Sequence, residues 1–382
     1  MTAARASMPS PSPEAMAHSD RLAALLRAEI DAAGGWIGFD RYMELALYAP
    51  GLGYYAAGAR KFGGGAEGGD FVTAPEISPL FAGALATQVT QVFGHTPPCI
   101  VEFGAGTGRL ARDLLAALDA RRVPVERYSI VELSADLRQR QRGLLADPRV
   151  QWLDAPPAGF AGVIVANEVL DVMPVRLFVR ERGALIERGV ALRDGALAFD
   201  GRPADASLAE AVAEIEAETG ALPDGYGSEI SLTARGWMRS AGRWLSRGAL
   251  LAIDYGFPRR EYYHPQRLMG TLMCHYRHHA HADPLWLPGL NDITAHVDFT
   301  AMAQAAQDGG LQVLGYTSQA HFLLNCGLLD LLKRERTPAA ANAAHRLISE
   351  AEMGELVKVL AVGRGIDEPL LGFARGDRTH TL

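Results

Sequence analysis

The sequence predicts an α/β fold: a Rossmann-like sheet of short apolar strands alternating with amphipathic helices, carrying an N-terminal helical extension and an inserted subdomain. Three observations predict it. Residues 99–120 read as strand, glycine turn and helix, with Cys99-Ile-Val-Glu-Phe-Gly-Ala-Gly-Thr-Gly108 followed by Leu110, Leu114, Leu115 and Leu118 at helical spacing. Further strand-like runs at 127–132, 149–153 and 162–167 are separated early on by helical patterns at 109–120 and 134–146. A fifth run, Ala249-Leu-Leu-Ala-Ile-Asp254, comes only after a long interval, which places an insertion between strands 4 and 5.

Taken in order, residues 1–18 are rich in Ala, Ser and Pro and are expected to form a disordered tail. Ser19 or Asp20 is expected to cap a helix buried at Leu22, Leu25, Leu26 and Ile30 and stopped by Gly34-Gly35. A short helix from Phe39 to Leu47, a Gly- and aromatic-rich stretch and a helix from about Ser78 to Phe93 complete an extension over 19–98 that could act as a lid. The core occupies 99–174. The insertion, 175–248, is expected to hold strands at 175–180, 184–192 and 197–199 and helices at 205–219 and 233–246. The remainder, 249–382, returns to the sheet with a helix at 299–308, a strand at 311–317, helices at 320–335 and 338–353, and a last strand at 356–362 or 370–374.

Composition narrows the function. The 382 residues are 48% hydrophobic and 21% charged, ordinary for a globular chain, and a net charge of −7 leaves no basic excess for nucleic acid. Three scattered cysteines suggest neither a disulfide framework nor a thiolate metal site and fit a reducing compartment. No apolar run of about 18 residues is present, so no membrane span is expected.

The glycine turn carries the chemistry. Gly104, Gly106 and Gly108 can take positive φ and let backbone approach a ligand, and the following helix start favours an anionic group. A dinucleotide fingerprint would need glycine where Arg109 stands, and a P-loop would need Lys-Ser or Lys-Thr after the last glycine. The pattern left is E-x-G-x-G-x-G, that of S-adenosylmethionine (SAM) methyltransferases. Glu132 ends the next strand, Tyr128-Ser-Ile-Val-Glu-Leu133, where an acid can accept both ribose hydroxyls of a nucleoside. The expected cofactor-binding set is Glu102, Gly104, Ala105, Gly106, Gly108, Glu132, Leu133, Asn167, Phe71 and Thr73.

Methyl transfer is an in-line displacement, so the chain's task is to position the acceptor and, where needed, to take a proton. Asn167-Glu-Val-Leu-Asp171 follows strand 4, making Glu168 and Asp171 catalytic candidates; Glu76 in Gly69-Asp-Phe-Val-Thr-Ala-Pro-Glu-Ile-Ser78 is the third. Asp292 and His296 lie in an acidic loop suited to a cationic acceptor and are expected to bind substrate. The alternating and adjacent histidines from His275 to His281, with no clear second acid, make a weak case for a metal site, and no metal is expected.

With these segments identified, the chain resembles the MidA-like SAM-dependent methyltransferases, which include a mitochondrial complex I assembly factor that methylates an arginine. The resemblance rests on Gly51-Leu-Gly-Tyr-Tyr55, the 69–81 string, Glu102–Gly108, Asn167–Asp171, Ile253-Asp-Tyr-Gly256, Glu261-Tyr-Tyr263, Gly270-Thr-Leu272 and Asp292–Phe299. It implies a seven-stranded class I methyltransferase sheet, SAM as cofactor with S-adenosylhomocysteine as product, and a protein substrate, arginine first. It implies that Gly104, Ala105, Gly106 and Glu132 bind SAM and that Glu168, with Glu76, faces the acceptor. A homodimer stays open, and the compartment is the bacterial cytoplasm or, alternatively, the mitochondrial matrix. Two other readings stay open: a methyltransferase-fold assembly factor without turnover, and a small-molecule methyltransferase.

Overall fold

The computed structural model describes residues 8–57 and 73–382, which divide into two units. The larger comprises 72–171, 235–258 and 297–382. Its sheet contains β1 (Cys99–Phe103), β2 (Arg127–Val131), β3 (Val150–Leu153), β4 (Phe160–Asn167), β5 (Leu245–Phe257), β6 (Gln312–Ser318) and β7 (Val357–Arg364). They lie in the order β6-β7-β5-β4-β1-β2-β3, and the two-residue strand Val297–Asp298 on β5 makes eight. β7 runs antiparallel to both neighbours; the pairings from β5 to β3 are parallel. Strands covered on both faces read as continuous apolar runs, and every residue of β1 is buried. The helices Pro79–Phe93 and Arg109–Ala120 supply Leu85, Val89, Leu114 and Leu118 to the same core as Ile100 and Val165.

β1, β4, β5 and β7 approach too closely for side chains at one level of the sheet. A Cβ on Gly162 would lie 2.3 Å from Cys99 O, one on Gly248 1.9 Å from Gly162 O, and one on Gly363 2.3 Å from Gly248 O.

The smaller unit comprises 1–71, 172–234 and 259–296. Arg176–Glu181, Ala184–Arg193, Ala196–Pro203, Gly227–Ile230 and Trp36–Gly38 form an antiparallel sheet, and His279–His281, Met273–Tyr276 and Asp292–Thr294 a second. Leu22, Leu26, Ile30, Phe39 and Tyr42 share a core with Val175, Leu177 and Val190.

Several expectations are corrected. The first helix is Pro13–Ala32, so 13–18 are helical: Ser12 Oγ accepts from Ala15 N at 3.2 Å and Pro13 suits the first turn. The stretch 19–98 is not one extension, because its described part through 57 joins the smaller unit and Pro79–Phe93 the larger; of the insertion expected over 175–248, residues 235–248 belong to the larger unit, and 259–296 leaves the sheet-forming half for the smaller. Residues 320–335 form two helices, Gln319–Asn325 and Leu328–Glu335, split by Gly327 at φ 86°. The helix expected over 338–353 stops at Ile348, and 370–374 is a 3₁₀ turn rather than a strand.

Candidate cofactor and methyl-transfer site

The glycine turn follows β1. Gly104, Gly106 and Gly108 have φ of 60°, 52° and 85°, a region that admits glycine without strain. Gly104 N donates to Val131 O at 3.0 Å, Gly108 N to Ala105 O at 2.7 Å, and Gly108 is the N-cap of Arg109–Ala120. The turn is thereby pinned to β2 and closed on itself, with Ala105 buried.

Two buried acids flank it. Glu102 accepts from Tyr128 Oη at 2.7 Å; burial, opposed by that bond and reinforced by the charge of Glu132, raises its carboxyl to about 7. Glu132 accepts from Ser134 N at 2.9 Å on one oxygen and from Gln141 Nε2 at 3.0 Å on the other. Burial raises it too, against the pull of those bonds and of Arg138. Beside it Leu133 is 83% exposed, an apolar side chain held in the open next to a buried acid.

Beyond β4 the chain turns sharply. Glu168 stands at φ 52°, and its N–H donates to Ile253 O at 2.8 Å. Val169 N, Leu170 N and Asp171 N converge on Asp254 Oδ2 at 3.1, 2.8 and 3.4 Å, and Tyr255 N donates to Asp254 Oδ1 at 2.9 Å. Asp254 is fully buried, and burial, opposed by these four bonds, raises its carboxyl to about 7. Glu168 Oε1 accepts from Ala74 N and from Asn167 Nδ2, both at 3.3 Å. Asn167 Oδ1 is buried without a hydrogen-bond donor.

Among the predicted residues, Glu102, the glycines, Ala105, Glu132, Leu133, Asn167, Glu168, Asp171, Thr73 and Glu76 all fall in the larger unit; Asp292 and His296 belong to the smaller one. Phe71 lies outside the described residues. Thr73 is the N-cap of Ala74–Ile77, with no side-chain cap bond. Glu76, expected as a catalytic acid, is engaged with the glycine turn: Thr107 Oγ1 donates to it, Arg109 pairs with it at 3.3 Å and also donates to its carbonyl at 2.9 Å. Asp292 is buried and accepts from Tyr55 Oη at 2.8 Å, and His296 N donates to Thr271 Oγ1 at 2.9 Å. Among the described residues, no three His, Cys, Asp or Glu side chains are set to hold a metal. Sequence reasoning missed Gln141 and Asp254; the second stands inside a quoted motif, while the first is one polar residue on a mostly polar helix.

These residues fit a nucleoside with a cationic amino-acid tail. The turn leaves no Cβ in the way, Glu132 offers oxygens for hydroxyls, and the orphaned Asn167 carbonyl calls for an N–H or O–H donor. A mostly parallel sheet with this turn after β1, this acid after β2 and an acidic turn after β4 defines a SAM-dependent methyltransferase. A family model described as "Putative S-adenosyl-L-methionine-dependent methyltransferase" matches residues 84–317. The chain belongs to this family, the MidA-like methyltransferases, and SAM is its cofactor.

It is 54% identical to a COG1565 superfamily member from Burkholderia thailandensis bound to S-adenosyl-homocysteine, over 98% of this chain and 100% of that one, with a TM-score of 0.93. It is 28% identical to protein arginine methyltransferase NDUFAF7, mitochondrial, of Danio rerio, over 86% of this chain and 84% of that protein. The Homo sapiens protein of the same name is 27% identical, over 76% and 70%. No helix among the described residues is long and apolar enough to cross a membrane.

Proposed function

We propose that this methyltransferase acts on a protein side chain, with arginine as the acceptor. The observation that carries the reading is the Glu168 carboxylate on the turn after β4, whose Oε1 is held by Ala74 N and Asn167 Nδ2. An ionised carboxylate is acceptor-only and a guanidinium is donor-only and planar, so it suits this group better than a hydroxyl does. The naming of the NDUFAF7 relatives as arginine methyltransferases supports it.

In this reading seven of the eight strands are the methyltransferase core, and 172–234 is a subdomain inserted between β4 and β5. Gly104, Ala105, Gly106, Gly108, Glu102, Glu132 and Leu133 hold the nucleoside side of the cofactor, and Asn167 borders its reactive end. Bound SAM supplies an electrophilic methyl on a sulfonium. Glu168 accepts N–H bonds from the guanidinium, aims one nitrogen at that carbon and takes the proton which the methylated nitrogen releases. Asp171 adds negative charge on the same turn, and Asp292 and His296 serve the acceptor peptide. Glu76 acts through the glycine turn.

The test is transfer of labelled methyl from SAM to proteins of a cell extract, followed by analysis of the labelled residue. Methylarginine formed by wild type and lost in Glu168→Gln, with S-adenosylhomocysteine binding retained, is the expected result. Label on another residue, on small molecules alone, or full turnover by the Gln variant overturns it.

A further inference from the structure

Helix Ala135–Leu144 is polar over most of its length, and only Leu137 and Gln141 are buried. Gln141 is 0% exposed, so an uncharged amide occupies a place where an aliphatic side chain would pack more simply. Three of its four hydrogen-bonding directions are used. Nε2 donates to Gly106 O at 2.9 Å and to Glu132 Oε2 at 3.0 Å, and Oε1 accepts from Trp152 Nε1 at 2.9 Å. An indole nitrogen can only donate, so Trp152 dictates which end of the amide faces which partner. The glycine turn, the acid after β2 and the end of β3 therefore meet on one side chain.

We infer that Gln141 is a positioning residue for nucleoside recognition: it aims the Glu132 carboxylate and locks it to the glycine turn through Gly106. The inference rests on the reading that Glu132 receives the ribose hydroxyls. A carboxylate oxygen has two lone pairs. Ser134 N lies on Oε1 and Gln141 on Oε2, with the Leu133 N–H also directed at the group, so Gln141 fixes the second oxygen and, with Ser134, the plane of the carboxylate offered to the ribose hydroxyls. Without the amide, Gly106 O, one Glu132 oxygen and the Trp152 N–H would be left unpaired in a buried place. The other charged groups facing Glu132 are Glu102 from β1 and Arg138 from its own helix, the latter shared with Asp154 at 2.7 Å. Gln141 thus joins the N–H groups of Ser134 and Leu133 as an uncharged contact that favours the ionised form.

The experiment is calorimetric titration of the full chain with S-adenosylhomocysteine and its 2′-deoxy analogue, for wild type, Gln141→Leu and Gln141→Glu. Wild type is expected to prefer the ribose form by about tenfold or more. Gln141→Leu is expected to bind S-adenosylhomocysteine about tenfold more weakly, with the preference falling below about threefold while helical content is retained. A general loss of packing would weaken both ligands equally and leave the preference intact.

Should the Leu variant not fold, the Glu variant decides. It has the same size but sets a second carboxylate against Glu132 and Gly106 O, so its affinity rises more steeply than that of wild type as pH is lowered from about 8 to about 6. An unchanged preference in a folded Leu variant, or wild-type pH behaviour in the Glu variant, overturns the inference. Wild type that binds with no 2′-hydroxyl preference overturns the reading of Glu132 itself.

Discussion

Tyr128 on β2 donates its phenol proton to Glu102 on the adjacent β1 across 2.7 Å, with the two residues 0% and 2% exposed. The bond satisfies one oxygen of the acid but does not repay its removal from water, and the carboxyl rises from 4.5 to about 7. The folded chain then holds a proton that the unfolded chain has released. Stability from this group is full below pH 4.5 and is lost as pH rises to about 7, by about 3 kcal/mol in all. Glu102→Gln has nothing to ionise. Urea unfolding at pH 4.5 and 8 should show the variant gaining on wild type by about that amount at the higher pH; a constant difference would mean that Glu102 is ionised without penalty.

Asp254 governs the turn that follows β4. Asp254→Ala leaves the N–H groups of Val169, Leu170 and Asp171 without their acceptor and should cost about 3 kcal/mol or more in stability. Asp254→Asn keeps one acceptor oxygen and should fold better, yet its amide donors face backbone donors and loosen the turn under Glu168. The prediction is a fall in methyl-transfer kcat with S-adenosylhomocysteine affinity held within about threefold, read by single-turnover rates and calorimetry.

Glu76 is occupied by Thr107 and Arg109, and this limits what it can do chemically. Glu76→Gln retains the bond from Thr107 and gives up the ion pair with Arg109, whose side chain is 41% exposed. Such a pair is worth about 1 kcal/mol or less. Thermal unfolding should shift by only a few degrees, and transfer should stay within about threefold of wild type. A hundredfold loss of kcat would return Glu76 to the reacting groups.

Glycine substitutions separate packing from chain entropy. Gly248→Ala would place a methyl 1.9 Å from the Gly162 carbonyl at a φ of 124°, so the variant should fail to accumulate as soluble protein. Gly143, on the exposed side of helix Ala135–Leu144, has nothing within 4 Å of its would-be Cβ. Gly143→Ala should stabilise the chain by about 0.5–1 kcal/mol. Soluble expression and urea midpoints distinguish the two cases.

What the sequence made legible follows its local physics. β1 was readable to the residue because an apolar run meets a glycine turn, and Phe299–Asp308 because Asp298 caps it, accepting from Ala301 N at 3.0 Å. The strand Met273–Tyr276 was missed because it is only four residues long and lacks apolar alternation, although its hairpin partner His279–His281 follows closely in the chain. The helix start at Pro13 was hidden by a composition that reads as disorder, although Ser12-Pro13-Glu14 is a capping signature. Candidate site residues on the glycine turn and after β4 were found by motif. Gln141 was not, since a buried amide is defined by its three partners on other elements, and nothing in its neighbours along the chain announces them.

The interleaving of the two units has a consequence for synthesis. Each is assembled from three separated stretches of chain, and β5, which lies between β4 and β7 in the sheet, is made only after residues 172–234 have been added to the smaller unit. On the ribosome, β1 to β4 must therefore wait with an open edge while unrelated chain emerges, and the smaller unit cannot finish before Asp292–Thr294 appears. Neither half can be cut out as a continuous fragment. The nascent chain passes through a long interval of exposed apolar strand, a state that invites chaperone engagement and sets the maturation rate by closure of distant contacts rather than by local helix formation.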